Sequence, residues 1–211
     1  MDRSTQIDTF CRFIQVSRET ISSLNKYEDL LIKANKNLNL IGNSTINQIW
    51  TRHFLDSAQV IDFIDENDIS LTDLGSGAGF PGLVLAIVCK DRKMSLKTKL
   101  IEKSPQKVKF LKNVVKDLHL NVEVLNKNIF EVPAKFSGDV FVARALKPLE
   151  IILQLMHNKA ERWKKIIIFL GKTGKSELLQ ASKSWDIEYK QRVSITSGDS
   201  VVIEINRLKK K

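Results

Sequence analysis

The order of hydrophobic and polar residues divides the chain into two parts. Over the first 66 residues, apolar side chains recur three or four positions apart, the spacing of helices that bury one face. The recurring positions are Ile21, Leu24, Leu31, Ala34 and Leu38, and then Trp50, Phe54, Ala58 and Ile61. From residue 69 onwards, short apolar runs alternate with amphipathic stretches. We therefore expect one domain, residues 1–211, made of an N-terminal helical portion, residues 1–66, and an α/β core, residues 67–211.

The second part has the rhythm of alternating strands and helices. The expected strands are ISLTDL (69–74), KTKLIE (97–102), NVEVL (121–125), DVFVA (139–143) and KKIIIFL (164–170). Strands that are joined through helices form a parallel sheet with helices on both faces. Near the end of the chain, IEYKQRVSI (187–195) and SVVIEINRL (200–208) flank TSGD and predict an antiparallel hairpin. A Rossmann-like, mostly parallel sheet that ends in one antiparallel strand is the arrangement of the seven-stranded S-adenosylmethionine-dependent methyltransferases.

Composition and charge narrow the class of protein. The 34 Lys and Arg residues exceed the 24 Asp and Glu residues, and the net charge of +10 favours an anionic partner such as nucleic acid over a merely solvated surface. No apolar stretch reaches the roughly 18 residues of a membrane span. The first residues show no long apolar core followed by a cleavage site, so we expect no secretory signal. Cys11 and Cys89 lie far apart. We expect a cytoplasmic monomer with no membrane association and no metal.

The sequence DLGSGAGFPG (73–82) joins the first expected strand to a helix. The dinucleotide fingerprint G-x-G-x-x-G would need its third glycine at position 80, which is Phe80. The glycines instead fall at Gly75, Gly77 and Gly79, where they permit a tight bend and a close approach of ligand to backbone. We expect Asp73 to end the strand with a carboxylate that faces the crevice beyond the strand ends, where open α/β sheets bind ligands. A cofactor with a sulfonium, an ammonium and no phosphate suits such an acidic strand end. These four residues predict an S-adenosylmethionine site.

The next expected strand ends in Glu102, which lies 25 residues after Gly77. This is close to the spacing at which an acid reaches the ribose hydroxyls of a bound nucleotide. A lone acid at this place also serves simply to favour the N-terminus of the next helix. Ser104 and Pro105 predict that N-terminus, and the helix would bury Val108, Leu111, Val115 and Leu118. Together with the glycine turn, Glu102 predicts cofactor binding.

Several segments, in order along nearly the whole chain, resemble the bacterial 16S ribosomal RNA guanine-N7 methyltransferases, the RsmG or glucose-inhibited division protein B family. The segments are NLNLI (37–41), RHFLDS (52–57), GSGAGFPG (75–82), EK (102–103), KVKFL (107–111), ARA (143–145) and LGKTG (170–174). The pair of RHxxDS and GxGAGFPG is the specific part. Two positions depart from the family pattern, because Ile41 stands where a threonine is usual and Thr173 where a glycine is usual.

The resemblance implies a function and further site residues. It implies transfer of the methyl group of S-adenosylmethionine to nitrogen-7 of one guanosine in the 16S ribosomal RNA of the small ribosomal subunit. Gly75 and Phe80 would contact the cofactor at the turn, and Ile129 and Phe130 would flank its adenine. Arg144 would lie where cofactor and target meet, and it is the predicted catalytic residue. Each of the two phenylalanines and Ile129 also fits an ordinary place in the core.

The expected chemistry explains why the chain carries no obvious catalytic motif. Guanine nitrogen-7 has an in-plane lone pair and no proton, so the transfer needs no general base. Catalysis would then depend on holding the reacting atoms in line and excluding water. His53 and Asp56 lie three residues apart and share a helix face, which resembles an acid–base pair. We favour a structural or pocket-forming role for Arg52, His53 and Asp56 at the junction of the two portions.

The basic residues predict where RNA binds. From Lys97 to Lys116 there are seven lysines and one acid, and the chain ends in three further lysines. We expect Lys109 and Lys112, together with Lys172 in LGKTG, to contact RNA. The aromatic signature of RNA-recognition domains is absent from the sequence.

Three other functions compete with this interpretation. One is a methyltransferase for a small molecule or a protein, against which the charge and RHFLDS argue. The second is a non-enzymatic RNA-binding or ribosome-assembly factor with a methyltransferase fold, which would not need an intact DLGSGAG. The third is a nicotinamide-dependent oxidoreductase, which Phe80 disfavours. The sequence does not give the nucleotide that is methylated, or whether free RNA or an assembled subunit is the substrate.

Overall fold

The computed structural model describes residues 1–131 and 135–211. The helices are α1 (Arg3–Phe13), α2 (Arg18–Leu38), α3 (Asp56–Ala58), α4 (Gly82–Asp91), α5 (Pro105–Asp117), α6 (Leu149–Lys159) and α7 (Gly174–Ser184). The strands are β1 (Ser70–Leu74), β2 (Lys97–Glu102), β3 (Val122–Asn126), β4 (Phe136–Ser137), β5 (Val140–Arg144), β6 (Ala160–Arg162), β7 (Lys165–Leu170), β8 (Trp185–Ser194) and β9 (Ser197–Lys210). A π-helical turn, Trp50–Leu55, leads directly into α3.

Seven strands form one sheet in the order β3-β2-β1-β5-β7-β9-β8. The neighbours from β3 to β7 pair in parallel, whereas β9 pairs antiparallel with both β7 and β8. The order reverses at β1, because β2 lies on one side of it and β5 on the other. The predicted Rossmann-like methyltransferase sheet and its C-terminal hairpin are thereby confirmed. β4 and β6 form a separate two-stranded pair.

The sheet is buried on both faces, and alternate residues of each central strand face opposite sides. Val140 and Val142 of β5 join a cluster that holds α1, α2, α4 and α5, whereas Phe141 and Ala143 join a cluster that holds α6 and α7. Central strands that are covered on both faces need apolar residues at successive positions. This explains the unbroken apolar runs in β5 and β7.

The helical portion packs on one face of the sheet and shares its larger hydrophobic cluster. The predicted positions Trp50, Phe54, Ala58 and Ile61 are all buried, as are Leu24 and Leu31, while Ile21, Ala34 and Leu38 are partly buried against the same cluster. Glu28 of α2 is buried beside the π-helical turn, where its Oε2 accepts hydrogen bonds from Trp50 Nε1 at 3.0 Å and from Arg3 Nε at 2.8 Å. Helices α1 and α2 thus fix the turn that carries RHFLDS.

Helix α5 begins as predicted, with Ser104 as its N-cap and Pro105 as its first residue. Its buried face differs in detail from the prediction. Val108, Leu111 and Leu118 are buried, but Val115 is only partly so, and Phe110 and Val114 are buried in addition. The helix therefore turns a wider apolar face towards the sheet and α2 than the predicted stripe.

Among the helices in the described ranges, none is long and apolar enough to cross a membrane.

Candidate active site

A cavity of about 750 Å³ opens beyond the carboxyl ends of β1, β2, β3 and β5. Open α/β sheets bind ligands at this edge, where the strand order reverses. Gly75, Gly77, Phe80, Glu102, Ile129, Phe130 and Arg144 line the cavity, and of the predicted cofactor residues only Asp73 and Gly79 lie behind its wall. The helical portion contributes Leu40, Ile41, Gly42 and His53 to the opposite side.

The glycine turn, residues 75–80, directs its backbone N–H groups into the protein. The N–H groups of Gly75 and Ser76 donate to the carbonyl of Ile101 at 2.9 and 3.0 Å. The N–H of Gly77 donates to Glu102 Oε2 at 2.9 Å, and those of Gly79 and Phe80 donate to the carbonyl of Ser76. A phosphate-binding loop instead offers such groups to the ligand. Here protein oxygens occupy the N–H groups of Gly75, Ser76, Gly77, Gly79 and Phe80, so this part of the turn suits a ligand without phosphate.

Asp73 supports the turn from behind instead of facing the cavity as predicted. Its carboxylate is fully buried, and its Oδ2 accepts a hydrogen bond from the N–H of Gly82 at 2.9 Å. Its Oδ1 has no hydrogen-bond partner among the described residues. Burial raises the pKa of Asp73 to about 7, against the lowering effects of Gly82, Ser76 and Arg144. A Cβ on Gly82 would lie 2.6 Å from Oδ2, so the Phe-Pro-Gly sequence lets α4 approach the end of β1.

The glycines of the turn have positive φ angles of +74°, +57° and +103°, but their surroundings differ. A Cβ on Gly75 would lie 2.3 Å from Leu146 Cδ1, and one on Gly79 would lie 2.6 Å from the hydroxyl of Tyr27. A Cβ on Gly77 would meet only the carbonyl of Gly75, at 4.0 Å. Gly79 is therefore needed for packing, Gly75 lies against the movable end of Leu146, and Gly77 faces open space in the cavity wall.

Glu102 joins β2 to the glycine turn. One carboxylate oxygen accepts from Gly77 N–H, and the other accepts from Ser104 N–H at 2.8 Å, at the start of α5. The side chain is buried, yet it forms part of the cavity wall. A carboxylate has about four acceptor sites, so two remain for donors on a ligand. Both roles foreseen for an acid here, support of a helix start and exposure to the cofactor, are compatible with this position.

Phe80 lies at the centre of an aromatic cluster that links the turn to the helical portion. Its ring stacks on His53 with centroids 4.9 Å apart and planes 14° apart. The rings of Tyr27 and Phe54 lie at 5.6 and 6.1 Å. Tyr27 donates its hydroxyl to the carbonyl of Ala78 at 2.6 Å, and burial raises its pKa well above the usual value. Phe80 is thus both a core residue and a part of the cavity wall.

Ile129 and Phe130 lie on the loop after β3, at the far side of the cavity. Ile129 is buried in the cluster beneath α6, and Phe130 packs against the same cluster while remaining partly exposed. Their apolar surfaces face the cavity opposite the glycine turn. A flat aromatic group bound there would contact carbon atoms, which agrees with the prediction that they flank an adenine; that role itself stays a prediction.

Arg144, the last residue of β5, is held by the RHFLDS segment of the π-helical turn and α3. Its Nη1 lies 3.2 Å from Ser57 Oγ and 3.3 Å from Asp56 Oδ2. Its Nη2 donates to the carbonyl of Arg52 at 3.2 Å and to His53 Nδ1 at 2.9 Å. The guanidinium also lies over the Phe80 ring, 5.6 Å from its centroid. Both terminal nitrogens therefore have two protein partners each, and the side chain has a fixed position.

His53 is a neutral connector between Arg144 and the loop at Gly42. Arginine only donates, so His53 Nδ1 accepts and Nε2 carries the proton. Nε2 lies 2.9 Å from Thr45 Oγ1, which donates to the carbonyl of Gly42 at 2.8 Å. Burial, followed by the charges of Arg144 and Arg52, lowers the pKa of His53 to about 3. With both nitrogens engaged, the ring is not available as a base towards a ligand.

Asp56 ties Arg144 to the C-terminal hairpin. Besides its ion pair with Arg144, it accepts hydrogen bonds through Oδ1 from Thr196 Oγ1 at 2.6 Å, from Gln59 Nε2 at 2.9 Å and from Ser194 Oγ at 3.2 Å. The helical portion, β5 and the β8–β9 turn therefore meet at one carboxylate. This agrees with the structural or pocket-forming role expected of RHFLDS.

Four lysines surround the mouth of the cavity: Lys103, Lys107, Lys127 and Lys147. We call them the rim lysines, and sequence reasoning did not select them. The predicted RNA contacts lie elsewhere, since Lys109 and Lys112 are on the exposed side of α5 and Lys172 lies before α7, 3.9 Å from Asp199. The rim lysines could have been identified from the topology, because each of them follows the end of a strand or lies in the first turn of the helix after it.

Within the described ranges, no group of three His, Cys, Asp or Glu residues is arranged to hold a metal.

Comparisons with known proteins agree with this geometry. The family described as "GidB: rRNA small subunit methyltransferase G" matches residues 20–205. A ribosomal RNA small subunit methyltransferase G from Pelagibacter ubique is 41% identical over 198 residues, which cover 93% of this chain and 92% of the relative. A SAM-dependent methyltransferase from Aquifex aeolicus has a similar structure, with a TM-score of 0.57, 17% identity and coverage of 84% and 98%. TYW2 from M. jannaschii, solved in complex with AdoMet, has a TM-score of 0.55 at 17% identity and coverage of 77% and 78%.

Proposed function

Because this chain belongs to the family of rRNA small subunit methyltransferases G, we propose that it transfers the methyl group of S-adenosylmethionine to nitrogen-7 of a guanosine in 16S ribosomal RNA. The membership itself makes the chain an enzyme that methylates the RNA of the small ribosomal subunit. The identity of the target atom and the roles of the individual residues are the parts we propose.

The cofactor assignment is supported by the donors that the cavity offers. The N–H groups of Gly75, Ser76 and Gly77 are occupied by protein oxygens, one of them a carboxylate oxygen of Glu102. A dinucleotide would bring its phosphates to this turn and meet that carboxylate, whereas S-adenosylmethionine carries no phosphate. When bound, S-adenosylmethionine supplies an electrophilic methyl group on a sulfonium. Glu102 would accept hydrogen bonds from its ribose hydroxyls, and Ile129 with Phe130 would flank its adenine.

The target atom is supported by how the two possible proton acceptors of the cavity wall are engaged, since Glu102 accepts hydrogen bonds from Gly77 and Ser104 and would accept the cofactor's ribose hydroxyls. In the described part of the wall, His53 is the one imidazole and Glu102 the one carboxylate. Both nitrogens of His53 are bonded within the protein, and its pKa of about 3 keeps it neutral. Methylation of an amine or hydroxyl needs a proton acceptor, but guanine nitrogen-7 has a lone pair and no proton. The bond from nitrogen to the methyl carbon forms as the carbon–sulfur bond breaks, and no proton moves.

Arg144 and the rim lysines would position the RNA. The network of Arg52, His53, Asp56 and Ser57 presents the Arg144 side chain at the cavity wall, and such prior ordering reduces the cost of reaching a reactive geometry. The rim lysines would contact phosphates around the mouth of the cavity, and Lys109, Lys112 and Lys172 would contact phosphates farther from it.

The enzyme would act as a cytoplasmic monomer without a metal. We also propose that residues 1–211 form one domain, because the helical portion supplies His53 and Asp56 to the site.

The test is to map the transferred methyl group. Purified protein is incubated with labelled S-adenosylmethionine and either small ribosomal subunits lacking this modification or naked 16S RNA. We expect one labelled guanosine, methylated at nitrogen-7, as found by nucleoside mass spectrometry and primer extension after cleavage at the modified base. Incorporation at an exocyclic amine, at a ribose or into protein only would contradict the proposal. Calorimetry should in parallel detect S-adenosylhomocysteine binding and no response to NAD.

A further inference from the structure

A second cavity of about 290 Å³ lies on the other side of Arg144. We call it the Arg52 cleft; its polar wall includes Arg52, Asp56, Gly171, Ser197 and Ser200. It shares Arg144 and Ala145 with the cofactor cavity, so the two are adjacent and separated by that wall. The volume is near the lower end of the roughly 300–1,000 Å³ of ligand sites, which suits a fragment such as one nucleotide unit.

The charge of the cleft favours an anion. Arg144 and Asp56 form an ion pair with each other, and Asp56 also accepts hydrogen bonds from Gln59, Ser194 and Thr196. Arg52 has no carboxylate within 4 Å among the described residues, and its side chain is exposed. The cleft therefore keeps one positive charge that the protein does not neutralise.

Arg52 is also well placed to bind. Its carbonyl accepts a hydrogen bond from Arg144 Nη2, which fixes the backbone from which the side chain extends. A guanidinium forms paired hydrogen bonds with phosphate oxygens. The hydroxyls of Ser197 and Ser200 also line the cleft and lie 3.3 Å from each other, and such hydroxyls often contact RNA phosphate and sugar. Gly171 leaves space there, because a Cβ on it would meet no atom within 4 Å.

We propose that the Arg52 cleft binds the phosphodiester and ribose of the nucleotide next to the target guanosine. This inference rests on the proposed function, because the target base must lie in the cofactor cavity for its neighbour to reach the cleft. A strand that enters the cofactor cavity would pass the Arg144 wall on leaving it, and the Arg52 cleft is an adjoining cavity that shares Arg144 and offers an unpaired guanidinium. Arg52 holds the RNA backbone in place, whereas Arg144 borders both sites.

The first test neutralises the free cation. Arg52→Gln is compared with Arg12→Gln, which removes the same charge from an exposed position outside both cavities. Affinity for unmethylated 16S RNA is measured as a function of salt, and methylation is followed in single turnovers. For Arg52→Gln we expect the half-saturating RNA concentration to rise about tenfold and the log–log salt slope to become less negative by about 0.7. S-adenosylhomocysteine affinity should not change, and Arg12→Gln should leave all three values near wild type.

A second test adds a charge instead of removing one. Gly171→Glu places a carboxylate in the cleft, and neither steric contact nor a positive φ opposes it. Gly171→Ala tests the effect of shape, and Gly198→Glu, also at an unobstructed glycine but not in the cleft wall, tests the effect of charge. We expect only Gly171→Glu to weaken RNA binding strongly while the melting temperature and S-adenosylhomocysteine affinity are kept.

Equal effects of Arg52→Gln and Arg12→Gln on RNA binding would overturn the inference, and so would a loss of cofactor affinity in Arg52→Gln. If the proposed function itself is wrong, the wild-type protein will not methylate small-subunit RNA, and this result is distinct from the two results above. If wild type is active and the two arginine variants do not differ, the cleft alone is wrongly assigned.

Discussion

The two walls of the cofactor cavity are built in different ways. The glycine turn, residues 75–80, is local, since its shape comes from three positive φ angles and from N–H groups that bond to β2 and to the turn itself. The Arg144 wall is assembled from distant parts of the chain. Arg144 contacts residues 87 to 92 positions earlier, and Asp56 contacts the hairpin 140 positions later.

This difference assigns different tasks to the two walls. The turn is shaped mainly by its own backbone, with Glu102 and Tyr27 hydrogen-bonded to it, and it presents a fixed surface to a cofactor of matching shape. A wall made of three separate segments depends on the fold being complete, and it lies between the cofactor cavity and the Arg52 cleft. We therefore expect changes in the turn to affect cofactor affinity, and changes in the Arg144 wall to affect the reaction and the stability of the junction.

The largest effect is expected for Gly77→Val in the turn. The valine would extend into the cavity from a backbone with φ of +57°, which branched residues rarely adopt. We expect S-adenosylhomocysteine to bind at least 100-fold more weakly in calorimetry, about 2.8 kcal/mol. Gly198→Val, at an open position outside the cavity, is the control, and circular dichroism checks that both variants fold. Unchanged affinity in folded Gly77→Val would show that the cofactor does not lie on this turn.

The next largest effect is a pH dependence of the free energy of unfolding, caused by His53 in the Arg144 wall. Its folded-state pKa of about 3 is below the usual histidine value of about 6.5, so between these values the unfolded chain binds a proton that the folded protein does not. The free energy of unfolding therefore falls as the pH is lowered from 6.5 towards 3, by about 2 kcal/mol between pH 7 and pH 5. His53→Asn keeps an acceptor near Arg144 and removes the titrating group.

Urea unfolding at pH 7 and pH 5 measures this effect. The stability difference between wild type and His53→Asn should shrink by about 2 kcal/mol at the lower pH. Asp73 shifts in the opposite direction and is present in both proteins, so it cancels in the comparison. A difference that is constant between the two pH values would mean that folding does not change the pKa of His53.

The smallest effect separates the rim lysines from those on α5. Lys127→Gln with Lys147→Gln removes two charges at the cavity mouth, and Lys109→Gln with Lys112→Gln removes two from the helix. If both rim lysines contact phosphates, the log–log salt slope for RNA binding becomes less negative by about 1.4 in the first variant. A smaller change is expected in the second. A larger change in salt slope in the α5 variant than in the rim variant would mean that the RNA follows α5 and not the cavity mouth.

The local features were the ones that the sequence predicted well. Alternation of apolar and amphipathic runs predicts the sheet, because central strands covered on both faces need apolar residues at each position. Ser104 and Pro105 mark the start of α5 for equally local reasons. The position of Asp73 was not foreseen, because its direction depends on how closely Gly82 brings α4 to β1.

The Arg144 wall shows what pattern reasoning alone does not reach. The resemblance pointed to RHFLDS and to Arg144 as separate segments, but their contact depends on tertiary packing. Trp50 and Phe54 predict a buried helix face, yet spacing does not distinguish an α-helix from the π-helical turn found at Trp50–Leu55. The rim lysines were also missed, since the run from Lys97 to Lys116 does not say that Lys103 and Lys107 lie at the cavity, and Lys127 and Lys147 lie outside that run.

The most direct test of the account measures binding, rate and folding on one preparation of Arg144→Ala. The turn is intact in this variant, so S-adenosylhomocysteine affinity should stay within about threefold of wild type. The single-turnover methylation rate should fall at least tenfold, about 1.4 kcal/mol in the barrier, in protein whose folded fraction is known from its melting curve. Arg144→Lys should recover little, because an ammonium lacks the planar fork that contacts Asp56, Ser57 and His53. A normal rate in folded Arg144→Ala, or equal losses of cofactor affinity and rate, would contradict the division of tasks between the two walls.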